Sequence, residues 1–239
     1  MPDLAARLKL VSARIDQACT ASGRAREGVR LLAVSKTVDV ASLRAAQRLG
    51  VGDFGESYLQ EALPKIAALG PRPVWHFIGP IQSNKTRDIA AHFDWVHGVD
   101  RLKIAERLSA QRPAELPPLS VCVQVNISRE ASKAGCAPED AAELCLAIAA
   151  LPQLRLRGLM AIPAPLDDAA GPALARKPYA ALRELAQQVK SQLEQQRPHS
   201  VSDFDTISAG MSDDLEAAIT EGSTLVRVGS ALFGDRPYT

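Results

Sequence analysis

Eight short apolar runs, each followed by a stretch of helical periodicity, constrain this chain more than any single motif does. The runs fall at residues 31–36, 52–56, 74–78, 93–97, 119–127, 154–161, 204–208 and 224–228. The first, Leu31-Leu32-Ala33-Val34, has no polar alternation and reads as a strand covered on both faces, as in parallel sheets. Between the runs, apolar residues recur every three or four positions: Leu43 and Ala46 after a cap at Asp39 or Ser42, and Leu182, Leu185, Val189 and Leu193 in the longest stretch. Helices are expected over 58–69, 82–92, 100–108, from Pro138 onward, and over 213–220. Strand–helix alternation means a parallel sheet with helices outside. Eight units of roughly 25–30 residues suit a closed (β/α)8 barrel (a TIM barrel), one domain over residues 1–239. Leu4, Leu8, Val11, Ile15 and Cys19 place an additional N-terminal helix at 3–21. A doubly wound open sheet is the competing architecture, but no GxGxxG follows the first strand.

The balance of charge narrows the partners. Lys and Arg number 28 against 27 acidic residues, so an anion must be met by a local site, and neither nucleic acid nor a membrane surface is expected. At 4% aromatic residues, the chain has little from which to build a base-stacking platform. Four cysteines and four histidines are scattered without metal-ligand spacing, which points to reduced thiols in a cytoplasmic protein. No apolar run approaches the roughly 18 residues a membrane span needs, and the N-terminus lacks a signal-peptide pattern.

In a barrel the chemistry gathers at the carboxyl ends of the strands. Those ends carry Lys36, Glu56 with Ser57, His76, His97, Asn126, Met160, Ser208 to Ser212, and Arg227 to Ser230. Lys36 directly follows a buried strand, where an ammonium is costly unless it is paired or deprotonated. The plainer reading is that it exits into water. The other is a charge partner for an anion or a Schiff-base amine. Strands one and eight are neighbours in a closed barrel, so Lys36 and Arg227 belong to one region. Ile207-Ser208-Ala209-Gly210-Met211-Ser212 and Val226-Arg227-Val228-Gly229-Ser230 each run from a strand through a glycine to a serine before a helix. Such turns suit phosphate, although Ser212 and Ser230 taken singly read as ordinary helix caps worth about 1 kcal/mol each. Arg227 alternates with Val226 and Val228 and so faces the barrel interior, either paired with a carboxylate such as Glu56 or donating to a ligand. The segment 163–178, with four prolines, is expected to be irregular and a candidate lid.

The stretches LLAVSKT (31–37), DFGESYLQE (53–61), WHFIGPIQSNK (75–85), LRLRGLMAIPAP (154–165), ISAGMSDDLEAAI (207–219) and VRVGSALFG (226–234) together resemble the pyridoxal phosphate homeostasis proteins, relatives of the alanine racemase barrel. The resemblance covers nearly the whole chain. It implies pyridoxal 5'-phosphate (PLP) as cofactor, held as a Schiff base on Lys36. It places Ser212, Gly229 and Ser230 on the phosphate, Arg227 on the pyridine nitrogen, and His76 and Met211 in the pocket wall. Ser57 stands where the family usually has asparagine, and Ser230 where it usually has threonine. Lys133 matches a further lysine tied to cofactor transfer. The implied function is binding and homeostasis of the vitamin B6 cofactor, extending to delivery to apo-enzymes, by a monomer that is not an enzyme.

The alternative is a PLP-dependent amino-acid racemase. Racemases of this kind add a β-rich second domain and an opposing tyrosine. Here the chain ends at Thr239, and Tyr58, Tyr179 and Tyr238 do not fall at strand ends. An aldolase using a Schiff-base lysine is a third reading, and it would carry no chromophore.

Overall fold

The computed structural model describes residues 3–130, 133–164 and 172–234. Eight parallel strands close on themselves in sequence order: β1 (Arg30–Val34), β2 (Asp53–Glu56), β3 (Val74–Phe77), β4 (Trp95–Val99), β5 (Leu119–Gln124), β6 (Leu154–Met160), β7 (Thr206–Ser208) and β8 (Leu225–Val228). The (β/α)8 expectation is therefore borne out. Closure is made by β1 pairing with β8, with Leu32 opposite Arg227 and Ala33 opposite Val228.

Helices α1 (Leu4–Ala21), α2 (Val40–Arg48), α3 (Leu59–Leu69), α4 (Thr86–His92), α5 (Leu102–Gln111), α6 (Ala141–Ile148), α7 (Pro172–Gln196), α8 (Leu215–Thr220) and α9 (Ser230–Phe233) surround the strands. The main core lies between sheet and helices, where Leu43, Phe54, Ile89, Phe93, Ile104, Ile148, Leu182 and Ile219 are buried. Inside the barrel Trp95, Cys122 and Met160 form a smaller apolar cluster, with Val74 against them. Much of the rest of the interior is polar.

The additional helix α1 packs against α8 and α9 and braces the β8 unit from outside. Arg14 makes a two-point pair with Glu216 at 2.6 and 2.8 Å, and Arg7 Nε donates to Leu232 O at 2.8 Å. Just past its end, Arg24 donates to the carbonyls of Ile219 and Ser223. No described helix is long and apolar enough to cross a membrane.

Several boundaries differ from expectation: β5 ends at Gln124 rather than 127, β7 begins at Thr206 rather than Phe204, and α6 begins at Ala141 after a short 3-10 turn from Pro138. Strand four begins at Trp95 rather than Phe93, because the Phe93 N–H closes α4 on Ile89 O and its ring packs edge-on against Phe77. Helix α7 starts at Pro172 and runs through Pro178, so the irregular segment expected over 163–178 is helical in its second half. Residues 165–171 of that proposed lid lie outside the described residues.

Helix α2 follows the Lys36 turn and is capped as the sequence suggested: Asp39 Oδ1 accepts from Ser42 N at 2.8 Å. Asp39→Ala is expected to cost about 1 kcal/mol in a urea titration. The bonds to Ser42 hold this carboxyl below its usual range, so the cap's contribution is present at neutral pH and is lost as pH falls through that lowered value.

Candidate functional site

Lys36 stands two residues beyond β1, half-buried at the carboxyl mouth of the barrel. The residues on either side are fixed. Ser35 is fully buried, its N–H continues the ladder to Gly55 O at 2.9 Å, and its hydroxyl donates to Glu56 Oε1 at 2.6 Å. Lys65, reaching in from α3, donates to Ser35 O at 2.8 Å and to the same Glu56 oxygen at 2.9 Å. Thr37 adopts the left-handed conformation at φ 63°, and its N–H donates to Glu61 Oε2 at 2.9 Å. A non-glycine residue held there costs on the order of 1 kcal/mol, and it turns the chain sharply after Lys36. Burial pushes the Glu56 carboxyl above its usual range, against the pull of Ser35 and Lys65. The Glu56–Lys65 pair was missed in the sequence. Its signal was a lysine three residues beyond Ala62, within the buried stripe of α3.

Arg227 is buried inside the barrel, as its alternation predicted, but its partners are not carboxylates. Nη1 donates to Ser208 O at 2.6 Å and Ser208 Oγ at 2.8 Å, and Nη2 donates to Ala161 O at 2.9 Å. Glu56, the suggested structural partner, is engaged with Ser35 and Lys65 instead. A guanidinium has five N–H groups, so the three bonds leave donors for a ligand. Burial lowers its pKa to about 10, which leaves it cationic at neutral pH.

The two serine turns meet. Ser212 Oγ accepts from Ala231 N at 3.3 Å, joining the turn after β7 to the first turn of α9. Neither serine is a helix cap: α8 begins after Asp214, and α9 is preceded by Gly229 with Ser230 as its first residue. The capping explanation therefore falls away for both. Asp214, two residues beyond Ser212, accepts from Met211 N and from Tyr179 Oη, each at 2.5 Å. Tyr179 on α7 thus holds the turn from behind. In the sequence it was noted only as a tyrosine away from the strand ends, because its chain position gives no hint of that contact.

The remaining expectations divide. Ser57 and Met211 lie at the mouth, half-buried and 38% exposed respectively. Lys133 sits on the loop after β5 and donates to Pro163 O at 2.9 Å, with Glu130 Oε1 at 3.0 Å; Asn126 holds the base of that loop through Glu130 and Lys133 backbone groups. His76 lies deeper than a wall of the mouth. It is fully buried, and both ring nitrogens are taken, by His97 and Asp53 at 2.9 Å each. His97, expected at a strand end, is likewise inside the barrel because β4 is shifted. Tyr58 is not on a strand: it stands at the start of α3, two residues beyond β2, and is 56% exposed. Among the described residues no group of histidine, cysteine or acidic side chains could hold a metal ion.

A family model for the N-terminal domain of alanine racemase matches residues 12–237. The chain belongs to that family. The pyridoxal phosphate homeostasis protein of Pseudomonas aeruginosa is 58% identical over all of this chain and 98% of its own length. The protein of the same name from Escherichia coli is 48% identical, covering 100% and 99%. Among solved structures, Synechococcus elongatus PipY with PLP bound superposes with a TM-score of 0.79 at 34% identity, over 97% of this chain and 100% of PipY. Alanine racemase from Corynebacterium glutamicum shares the fold, with a TM-score of 0.62 at 16% identity, over 97% of this chain and 62% of the racemase.

Proposed function

We propose that this protein binds pyridoxal 5'-phosphate at the carboxyl mouth of its barrel and serves to hold the intracellular supply of that cofactor. The observation that carries the reading is the convergence of a fixed lysine turn, an interior guanidinium and two joined serine turns on strands that close the barrel. The donor set suits the ligand: a primary amine, a cation with spare donors, two hydroxyls and backbone N–H groups, with Asp214 turned to other partners. When bound, the cofactor supplies an aldehyde that a primary amine holds by reversible condensation. Lys36 is the amine. Ser212, Gly229 and Ser230 bind the phosphate, and Arg227 faces the ring nitrogen, where a permanent cation disfavours a second positive charge. Ser57 and Met211 border the ligand, and Lys133 stands on the rim as a residue for cofactor transfer to apo-enzymes. We place the protein in the cytoplasm as a monomer.

The test is uptake of PLP. The wild type is expected to gain visible absorption when mixed with PLP, and Lys36→Ala to lose that band while remaining folded. A wild type that takes up no PLP would sink the proposal. A racemase-like enzyme is the second reading, favoured by Tyr58 at the rim. Incubating the loaded protein with amino acids in heavy water decides between them: no exchange at the α-carbon is expected, and sustained exchange lost in Tyr58→Phe would establish the enzyme.

A further inference from the structure

Arg227 is one end of a hydrogen-bonded chain that crosses the barrel interior. Its Nη1 lies 2.8 Å from Ser208 Oγ, which lies 2.9 Å from His97 Nδ1. His97 Nε2 is 2.9 Å from His76 Nδ1, and His76 Nε2 is 2.9 Å from Asp53 Oδ1. Arg30 closes the chain by donating to Asp53. Ser208, His97 and His76 are fully buried, whereas the side chains of Asp53 and Arg30 are 22% and 41% exposed. The exposed end therefore lies at the amino-terminal mouth, where β1 and β2 begin, and the buried end lies beside the ligand site.

The chemistry of the groups gives this chain one direction. A carboxylate only accepts, so the neutral His76 presents its N–H to Asp53 from Nε2 and its bare Nδ1 to His97. At the other end a guanidinium only donates, so Ser208 Oγ accepts from it and has its own hydrogen to turn to His97 Nδ1. His97 Nδ1 is then an acceptor, which places the proton of the neutral ring on Nε2. That N–H donates to His76 Nδ1, leaving the His76 proton on Nε2 to meet the Asp53 carboxylate. Every donor points from Arg227 towards Asp53, with a cation at one end and an anion at the other. Burial lowers the pKa of both imidazoles, that of His97 far below its usual value, in keeping with two neutral rings. The opposite tautomers would bring a bare ring nitrogen to the Asp53 carboxylate.

We propose that Ser208, His97, His76 and Asp53 are positioning residues for the bound cofactor, a one-way chain that orients the Arg227 guanidinium and couples the ring nitrogen to a carboxylate at the far mouth of the barrel. The inference rests on the PLP-binding reading above and extends it to residues that do not touch the ligand. A plain packing role for the two histidines would need no fixed tautomer and no anion at the end.

Nitrogen-15 NMR of the full-length protein, with labelled histidine and then with PLP labelled at the ring nitrogen, tests this. In the wild type the two buried histidines are expected as neutral rings protonated on Nε2. Protonation on Nδ1, or a cationic ring, overturns the direction and the inference. In Asp53→Asn the terminal anion is gone and an amide can donate as well as accept. The single tautomer is then expected to give way to a mixture, the ring-nitrogen resonance of bound PLP to move, and PLP affinity to fall about tenfold. Ser208→Ala, which cuts the chain beside Arg227 but keeps its bonds to the Ser208 and Ala161 carbonyls, provides a second variant should the first not fold. Its ring-nitrogen resonance is expected to move likewise. PLP bound with wild-type affinity and an unmoved resonance in the folded variants sinks this inference alone. Absence of PLP uptake by the wild type sinks the functional reading and this inference with it.

Discussion

Lys65→Met is expected to destabilise the protein by about 3–5 kcal/mol at neutral pH, the usual consequence of leaving one half of a buried ion pair alone. Glu56 is fully buried and the Lys65 side chain is only 9% exposed, so water does little to replace the lost ammonium. Glu56 Oε2 has no hydrogen-bond partner among the described residues, which makes Oε1 the point where the charge is met, by Ser35 and Lys65. The sign of the pH dependence follows. Burial already raises the folded-state pKa of Glu56, so its contribution to stability is full below the unfolded pKa and is lost as pH rises through the folded one. Without Lys65 that pKa rises further. The deficit of the variant is therefore expected to be largest at neutral and alkaline pH and to shrink on acidification, as the carboxyl takes up a proton. Urea titrations at two pH values check this, and a deficit independent of pH would mean that the ion pair is not the cause. The double variant Lys65→Met with Glu56→Gln should recover part of the loss. It should still hold PLP poorly, because Ser35 O, the anchor beneath Lys36, has lost its ammonium donor.

The same pair shows where sequence reasoning reached and where it stopped. The barrel was legible because its period is local: each apolar run and each helical stripe is read within about a dozen residues. Lys36, Arg227 and the two serine turns were legible for the related reason that a barrel collects its chemistry at strand ends. The supports of the site obey no such rule. Lys65 and Tyr179 reach it from helices, and Asp53 from the opposite mouth. His97 meets Ser208 across 111 positions of chain. Histidines 76 and 97 were noticed as strand-end residues and belong instead to the interior: His76 is the third residue of β3, and a two-residue shift makes His97 the third residue of β4 rather than its last. Prolines misled in α7, where Pro178 was read as a breaker. Helix α7 nevertheless continues past it, with Tyr179, Leu182 and Val189 buried against the core.

Gly158→Ala is expected to cost about 3 kcal/mol or more and to weaken PLP binding in whatever folds. The register between β5 and β6 slips at this point: Val121 lies opposite Leu156 but Cys122 opposite Gly158, so Arg157 is an extra residue in β6. Arg157 turns to Asp205, at 2.6 Å, while the Gly158 backbone presses against β7. A Cβ at 158 would sit 1.7 Å from Thr206 O and 2.7 Å from Thr206 C. Those are backbone atoms, and they cannot swing aside as the tip of a side chain can. The strands must part along the pairs Gly158–Thr206 and Met160–Ser208, and the two carbonyls that seat Arg227, those of Ala161 and Ser208, lie at the end of that seam. Gly222→Ala separates conformational strain from collision. Its φ is +102°, but the nearest atoms to an added Cβ are Arg183 Cδ and Cγ at 3.5 and 3.6 Å, so only the left-handed backbone penalty of about 1 kcal/mol applies. Thermal melts should place Gly158→Ala well below Gly222→Ala, and PLP titration at a temperature where both are folded should show weakened uptake only in Gly158→Ala. Equal melting of the two would mean that the β6–β7 seam yields to a methyl group, and that Arg227 does not depend on its closeness.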